Sequence, residues 1–329
     1  MEGILILTEA GTSVGYGHLT RCLAIAQELG PGVALLVHPD SDLAVQDGVR
    51  YFAWRDDPSA LTRVSPGERT SVILVDSYRA NREALQLLRH VAPFLAVIDD
   101  YNRTHYPCDL VINPAVQGPD LSAQTARVVS GAEYVILRRE IRTHPRRTQH
   151  SALKNLLISF GGADRIRLFP RLLPVLARAG AKLVVLSGSD ERAAELRTCF
   201  SSDQFKVFGR LGAAQVAKQF TSADLVISAG GQTLNELAYL GVPFIAVETG
   251  ADQHWNIASY VDAGVTPRHY RADDPHLESE LLAQIESLRN PVAREEMASR
   301  GQRLIDGQGA QRIGCLLRDR VATVSYPSG

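Results

Sequence analysis

The stretch ILILTEAGTSVGYGH, residues 4–18, decides the fold. Its first half is a continuous apolar run, the pattern of a parallel strand buried on both faces. Its second half is a glycine-bearing turn that delivers the chain into a helix over His18 to Leu29. The same order of strand, glycine turn and helix returns in LLISFGGADRIRLF, residues 156–169. Two such starts predict an α/β protein of two Rossmann-like, doubly wound parallel-sheet domains. These domains are expected to face each other across a cleft lined by the C-terminal ends of both sheets.

Short β-rich runs extend the pattern in both directions. Strands are expected at GILILT, VALLVH, VRYFAW, SVILVDS, FLAVIDD, DLVINP and EYVIL, and again at LKNLLISFGG, KLVVLSG, KVFGRL, DLVISAGG and VPFIAVE. Helices are expected at His18 to Leu29, Asn81 to Val91, Leu168 to Ala179, Ala213 to Phe220, Thr233 to Tyr239 and Asn256 to Ala263, with a string from Leu277 onward. The polar, basic stretch RREIRTHPRRTQHS, residues 138–151, reads as a linker. The expected division is an N-terminal domain over 1–140, a C-terminal domain over 151–310, and a final helix and tail over 311–329 that packs back on the first domain.

Composition narrows the function. Among 329 residues, 35 Lys and Arg balance 36 Asp and Glu for a net charge of −1. Nothing global favours nucleic acid or an anionic membrane as partner, so an anionic ligand must be held by local devices. The four cysteines, Cys22, Cys108, Cys199 and Cys315, form no close pair and are read as packing residues of a protein in a reducing compartment. No run reaches the roughly 18 apolar residues of a membrane span, and the start lacks a leader pattern. A cytoplasmic protein without membrane insertion is expected. The first βα turn departs from G-x-G-x-x-G and the next strand ends without a well-placed acid, which argues against a dinucleotide cofactor. DSY and IDD are not spaced as metal ligands, and no histidine–carboxylate pairing in the sequence suggests a bound cation.

The second domain carries DLVISAGGQTLNELAYLGVPFIAVE, residues 224–248. A buried strand ends at Ser228, Gly230 and Gly231 follow, and a helix begins after Gln232 at about Thr233. Glycines admit a ligand close to the backbone, and a helix N-terminus presents free N–H groups and a positive dipole end. The segment therefore suits a diphosphate, with Glu236 placed to reach a ribose hydroxyl. The alternative is a tight turn capped by Thr233, with Glu236 a first-turn acid. In the first domain, His18 opens a helix between strand and ligand edge, with Gly15 and Gly17 leaving room for substrate and water. Histidine's ordinary pKa of about 6.5 leaves a large neutral fraction at pH 7 that accepts protons. It equally suits a helix cap or a phosphate contact. Asp76, Asp99 and Asp100 fall at strand ends, where one orients His18, one binds a sugar hydroxyl, or each caps the next segment. Arg21 and Arg210 are available to a diphosphate.

Taken in order, GYGHLTRCLAIA, DSY, IDD, NP at Asn113 and Pro114, SFGGAD at 159–164, and SAGGQTLNELAYLGVPFIAVE followed by DQHWNIASYVDAG resemble the PseG/SpsG family across nearly the whole chain. The second-domain string alone is similar to the nucleotide-sugar domain of MurG-type glycosyltransferases of the GT-B fold. The resemblance implies hydrolysis of a UDP-activated amino sugar, of the 2,4-diacetamido-2,4,6-trideoxyhexose class, to UDP and free sugar without metal or cofactor, in one chain. It places His18 as the general base activating water, with Tyr78 and Asn256 in the active site. Gly161, Gly162 and Gln253 would serve the substrate. Arg165 and Arg167, after SFGGAD, depart from the family's usual continuation and leave the sugar open. A GT-B glycosyltransferase, in which the same base serves an acceptor hydroxyl, is the alternative; the sequence lacks the basic, aromatic amphipathic segment that membrane docking would need.

Overall fold

The computed structural model describes residues 3–11, 14–39, 49–61, 70–148, 151–161 and 168–325. The chain divides into two compact units, Met1–Arg139 with Gly307–Gly329, and Glu140–Asp306.

The first unit is built on strands β1 (Ile4–Ala10), β2 (Val33–Pro39), β3 (Arg50–Tyr51), β4 (Val72–Asp76), β5 (Phe94–Ile98), β6 (Leu110–Asn113) and β7 (Arg127–Ser130). They form a seven-stranded parallel sheet in the order β3-β2-β1-β4-β5-β6-β7. Strand alternation splits the apolar run of residues 4–7 between two cores. Ile4 and Ile6 pack with Cys22 and Ile25 of the helix Gly17–Leu29 and with Ile313 and Leu317 of the helix Gly309–Ser325. Leu5 and Leu7 pack on the other face with Trp54, Leu61, Leu85 and Leu88. Both faces are covered, which is why the run is apolar without alternation.

The second unit repeats the plan with β8 (Asn155–Ser159), β9 (Lys182–Leu186), β10 (Phe205–Phe208), β11 (Leu225–Ala229), β12 (Phe244–Glu248) and β13 (Tyr270–Arg271). Its six-stranded parallel sheet runs β10-β9-β8-β11-β12-β13. In each sheet the order reverses beside the first strand, at β1/β4 and at β8/β11. Loops leaving these strands diverge at their C-terminal ends, where doubly wound sheets hold ligands.

Several local expectations are corrected. EYVIL is not a strand: Ala132–Tyr134 form a single 3₁₀ turn, and Val135, Ile136 and Leu137 are buried. The edge strand is instead RVVS at β7. VRYFAW pairs only at Arg50 and Tyr51, because Trp54 folds back to donate its indole N–H to the Thr8 carbonyl at 2.9 Å. The helix Asp190–Cys199 was not anticipated; only Ala193 and Leu196 are buried on it, so it lacks an apolar stripe, and its signal was the Ser189 cap followed by Asp190 and Glu191. The expected linker is mostly docked on the second unit. There Arg147 donates to the carbonyls of Thr221 and Ala223 and to Asp224 Oδ1 at 2.7 Å, and its own N–H bonds to the Leu240 carbonyl. Cys22 and Cys108 are buried, but Cys199 and Cys315 are exposed because their helices turn those positions to solvent.

Ile313 is fully buried against β1 and β4, so Ile313→Ala is expected to cost about 2–5 kcal/mol, the usual range for emptying such a site. Urea unfolding of the first unit, followed by circular dichroism, measures it.

Candidate active site

The β1/β4 switch point gathers the first group of predicted residues. Asp76 ends β4 in register with Thr8 of β1, while His18 and Arg21 lie one turn apart at the start of the helix that leaves β1. That helix is reached through a closed turn, in which Gly11 and Gly15 exchange backbone hydrogen bonds at 3.2 and 2.7 Å and Gly15 adopts φ +80°. A side chain at Gly15 would be strained by that angle, whereas Gly17 is exposed and unconfined.

Asp76 is wholly buried and surrounded by donors. Its Oδ1 lies 2.6 Å from His18 Nδ1 and accepts from Arg21 Nη2 at 2.7 Å, and its Oδ2 accepts from Arg21 Nε at 2.5 Å and from the Cys22 thiol at 3.6 Å. Burial alone would raise this carboxyl, but Arg21 and then His18 hold it well below the usual carboxylate range. Burial, with Asp76 beside it, pushes the Cys22 thiol well up, so it remains a thiol. Arg21 continues through Nη1 to both oxygens of Asp100, at 2.7 and 3.0 Å. Its guanidinium, only 4% exposed, is thus shared between two carboxylates. Arg21 was expected to assist a diphosphate; here it bridges Asp76 and Asp100. Although burial would lower its pKa, Asp100 and Asp76 raise it.

Tyr78 donates its hydroxyl to Asp100 Oδ2 at 2.6 Å, and its ring meets His18 edge-on with centroids 4.2 Å apart. Burial and Asp100 push the phenol far above its ordinary value, so Tyr78 is a hydrogen-bonding group and not a base. An ionised Asp76 at Nδ1 favours the imidazole tautomer that carries its proton there. Nε2 then holds the lone pair, the arrangement of a general base with its orienting carboxylate.

Two contributors went unread in the sequence. Glu9, 1% exposed at the end of β1, accepts from Ser77 Oγ at 2.6 Å and from the Tyr78 N–H at 2.9 Å. Arg103 donates to Asp99 at 3.1 Å and to the carbonyls of Ser77 and Tyr78, and its guanidinium lies 4.9 Å from the Tyr78 ring centre. Asp99 is therefore a clamp for Arg103 and the following turn. The only sequence signal for Glu9 was a carboxylate at the end of an apolar strand.

The β8/β11 switch point holds the second group. Gly161 ends the described part of the β8 loop with φ +81°, and Gly162, Asp164, Arg165 and Arg167 lie outside the described residues. After β11, Gly230 is fixed from behind: its N–H donates to Gln253 Oε1 at 3.0 Å, and its carbonyl accepts from Asn256 Nδ2 at 2.7 Å. A Cβ there would stand 2.5 Å from Ile257 and 2.8 Å from the Gln253 Cβ, so glycine is required by packing. Gly231 is open, and its carbonyl also receives Asn256 Nδ2 at 3.2 Å. Gln253 and Asn256 thus grip the loop backbone. Thr233 is the first residue of its helix and not its cap; Gln232 occupies the cap position, without a side-chain capping bond, and accepts from Asn235 at 2.8 Å. Glu236 is buried on the first turn, and Ser228 is fully buried with its hydroxyl on the Ala229 carbonyl. Arg210 is exposed, its N–H held by Asp190 at 3.1 Å. The fold also brings together Glu248, His254 and His269, a histidine–carboxylate group that sequence spacing concealed.

These two parallel-sheet units define the GT-B class of fold. Residues 157–313 match the glycosyltransferase family 28 C-terminal domain. MurG from Acinetobacter baumannii shares the fold with a TM-score of 0.70 at 16% identity, covering 96% of this chain and 99% of that one. The chain resembles the PseG/SpsG proteins along its length. It is 21% identical over 333 residues to the spore coat polysaccharide biosynthesis protein SpsG of Bacillus subtilis, covering 95% of this chain and 97% of the relative. It is 23% identical over 261 residues, 76% of this chain, to a Helicobacter pylori protein named pseudaminic acid cytidylyltransferase and UDP-2,4-diacetamido-2,4,6-trideoxy-beta-L-altropyranose hydrolase. An uncharacterized Methanocaldococcus jannaschii protein is 24% identical over 270 residues, 74% of this chain. The chain spans about half the length of these last two relatives, 45% and 55% respectively. Among the described residues no helix is long and apolar enough to cross a membrane.

The Asp76 cluster sets a pH signature. Because the folded carboxyl lies below its unfolded value of about 3.9, its contribution is complete above that pH and declines as pH falls below about 4. Removing one partner of a buried ion pair costs about 3–5 kcal/mol, so Asp76→Asn is expected to be that much less stable near neutrality. The gap should narrow below about pH 4, read from denaturation midpoints of both proteins across pH.

Proposed function

We propose that the chain hydrolyses a UDP-activated amino sugar at its anomeric carbon, releasing UDP and the free sugar. The observation that carries the reading is the buried His18–Asp76 pair at 2.6 Å, which presents His18 Nε2 as a proton acceptor. In the proposed step Nε2 takes a proton from water, the oxygen bonds to C1 from the face opposite the diphosphate, and the C1–O bond to UDP breaks with inversion. UDP is a good leaving group, so the second carboxylic acid of an ordinary glycosidase is not required. Tyr78, braced by Asp100, would hold the sugar or the water; Gly15 and Gly17 give access.

The UDP end is assigned to the second unit. The N–H groups opening the helix Thr233–Leu240, with Gly231 and Gln232 before them, suit a diphosphate, and Glu236 suits the ribose. Gln253 and Asn256 are positioning residues for that loop, and Gly161 and Gly162 would also serve the substrate. The relative from Helicobacter pylori favours a 2,4-diacetamido-2,4,6-trideoxyhexose as the sugar. The working unit is one chain, in the cytoplasm. The family 28 match favours a transferase as the second reading, with a hydroxyl acceptor replacing water.

UDP release from UDP-2,4-diacetamido-2,4,6-trideoxy-altrose is expected without any acceptor, and His18→Ala should lower it by about 10²–10⁴-fold, the scale of a lost general base. NMR of the freshly released sugar should show the inverted anomer. UDP that appears only after an acceptor is added would replace the hydrolase with the transferase.

A further inference from the structure

Glu248, His254 and His269 come from three elements of the second unit: the end of β12, the first residue of the helix His254–Asp262, and the residue before β13. One ligand atom from each lies within 4.8 Å of the others. Both imidazoles converge on a single carboxylate oxygen: Glu248 Oε2 is 3.2 Å from His254 Nδ1 and 2.5 Å from His269 Nε2. The second contact is not aligned as a hydrogen bond, and His269 Nε2 is a buried nitrogen without one among the described residues. The imidazole rings stand with centroids 4.9 Å apart. Arg271 Nη1 approaches the other oxygen, Oε1, at 3.7 Å and leaves Oε2 to the histidines.

We propose that Glu248, His254 and His269 form a Zn²⁺ site. Tetrahedral zinc holds nitrogen and oxygen at about 2.0–2.2 Å, which separates neighbouring ligand atoms by about 3.3 Å. The Glu248–His254 contact already has that spacing. The Glu248–His269 contact reaches it by a small turn about the carboxylate's broad terminal torsion. Two imidazoles with one carboxylate select zinc over the hard, oxygen-seeking Mg²⁺ and leave a fourth position for water. Glu248 and His254 bracket residues 249–253, and Gln253 at the end of that segment holds the N–H groups of Gly230 and Thr249 at 3.0 Å. The metal would therefore tie down the segment that grips the β11 loop. The site is built from these side chains alone, whatever reaction the chain performs.

The test loads the purified chain with Zn²⁺, dialyses it against metal-free buffer and measures retained zinc by mass spectrometry. Retention of one zinc per chain, with a rise in thermal midpoint that Mg²⁺ does not reproduce, is expected. Loading with Co²⁺ should give the visible d–d absorption of a four-coordinate site. His269→Ala and Glu248→Gln should each abolish retention and the Co²⁺ spectrum. His254→Ala, at an exposed position, should do the same while keeping the wild-type circular dichroism, and it carries the test if either of the other two variants fails to fold. No retained zinc in the wild type, or equal retention in His254→Ala, overturns the site, whether or not UDP release is found.

Discussion

The charge on Asp76 organises the C-terminal edge of the first unit's sheet. A carboxylate at the end of a central strand is costly to bury, and it persists because His18, Arg21 and Cys22 all direct hydrogen-bond donors to it. Those three residues occupy one face of the first helical turns after β1, so the carboxylate also sets how that helix docks. Arg21 passes the constraint to Asp100, and Asp100 passes it to Tyr78. A chain of alternating charge thus connects the ends of β4 and β5 with the helix after β1, and the imidazole is oriented by all of it.

The second unit solves a similar problem with neutral groups. Gln253 and Asn256 hold the Gly230 backbone from both sides, and Ile257 closes against the missing side chain. An anion at that helix N-terminus would meet the positive end of the helix dipole. The two sheet edges differ accordingly in character, one held by an ionic cluster and the other by side-chain amides.

Much of this was legible in the sequence, for identifiable reasons. Continuous apolar runs revealed the strands because both sheet faces are covered, and the glycine turns at 11–17 and 230–231 marked the switch points. His18, Asp76, Tyr78 and Asp100 were recognised as strand-end or helix-start residues, and the fold brings these four together with Arg21. What sequence reading missed depends on contacts between distant residues. Glu9 and Arg103 act through the Ser77–Tyr78 turn, and Asp190–Cys199 lacks an apolar stripe. Glu248 and His269 are 21 positions apart and meet only because β12 and β13 pair. Val135–Leu137 imitates a strand because burial against a helix calls for the same residues as burial in a sheet.

The helix Gly309–Ser325 belongs to the unit formed by the chain's first residues, although all of Glu140–Asp306 intervenes. On a ribosome the second unit therefore has its whole core in hand while one face of the earlier sheet still waits for Ile313 and Leu317. Order of synthesis and order of completion are reversed in this chain. The half bearing the buried ion cluster is the last to close, with its apolar sheet face the surface most in need of protection until it does.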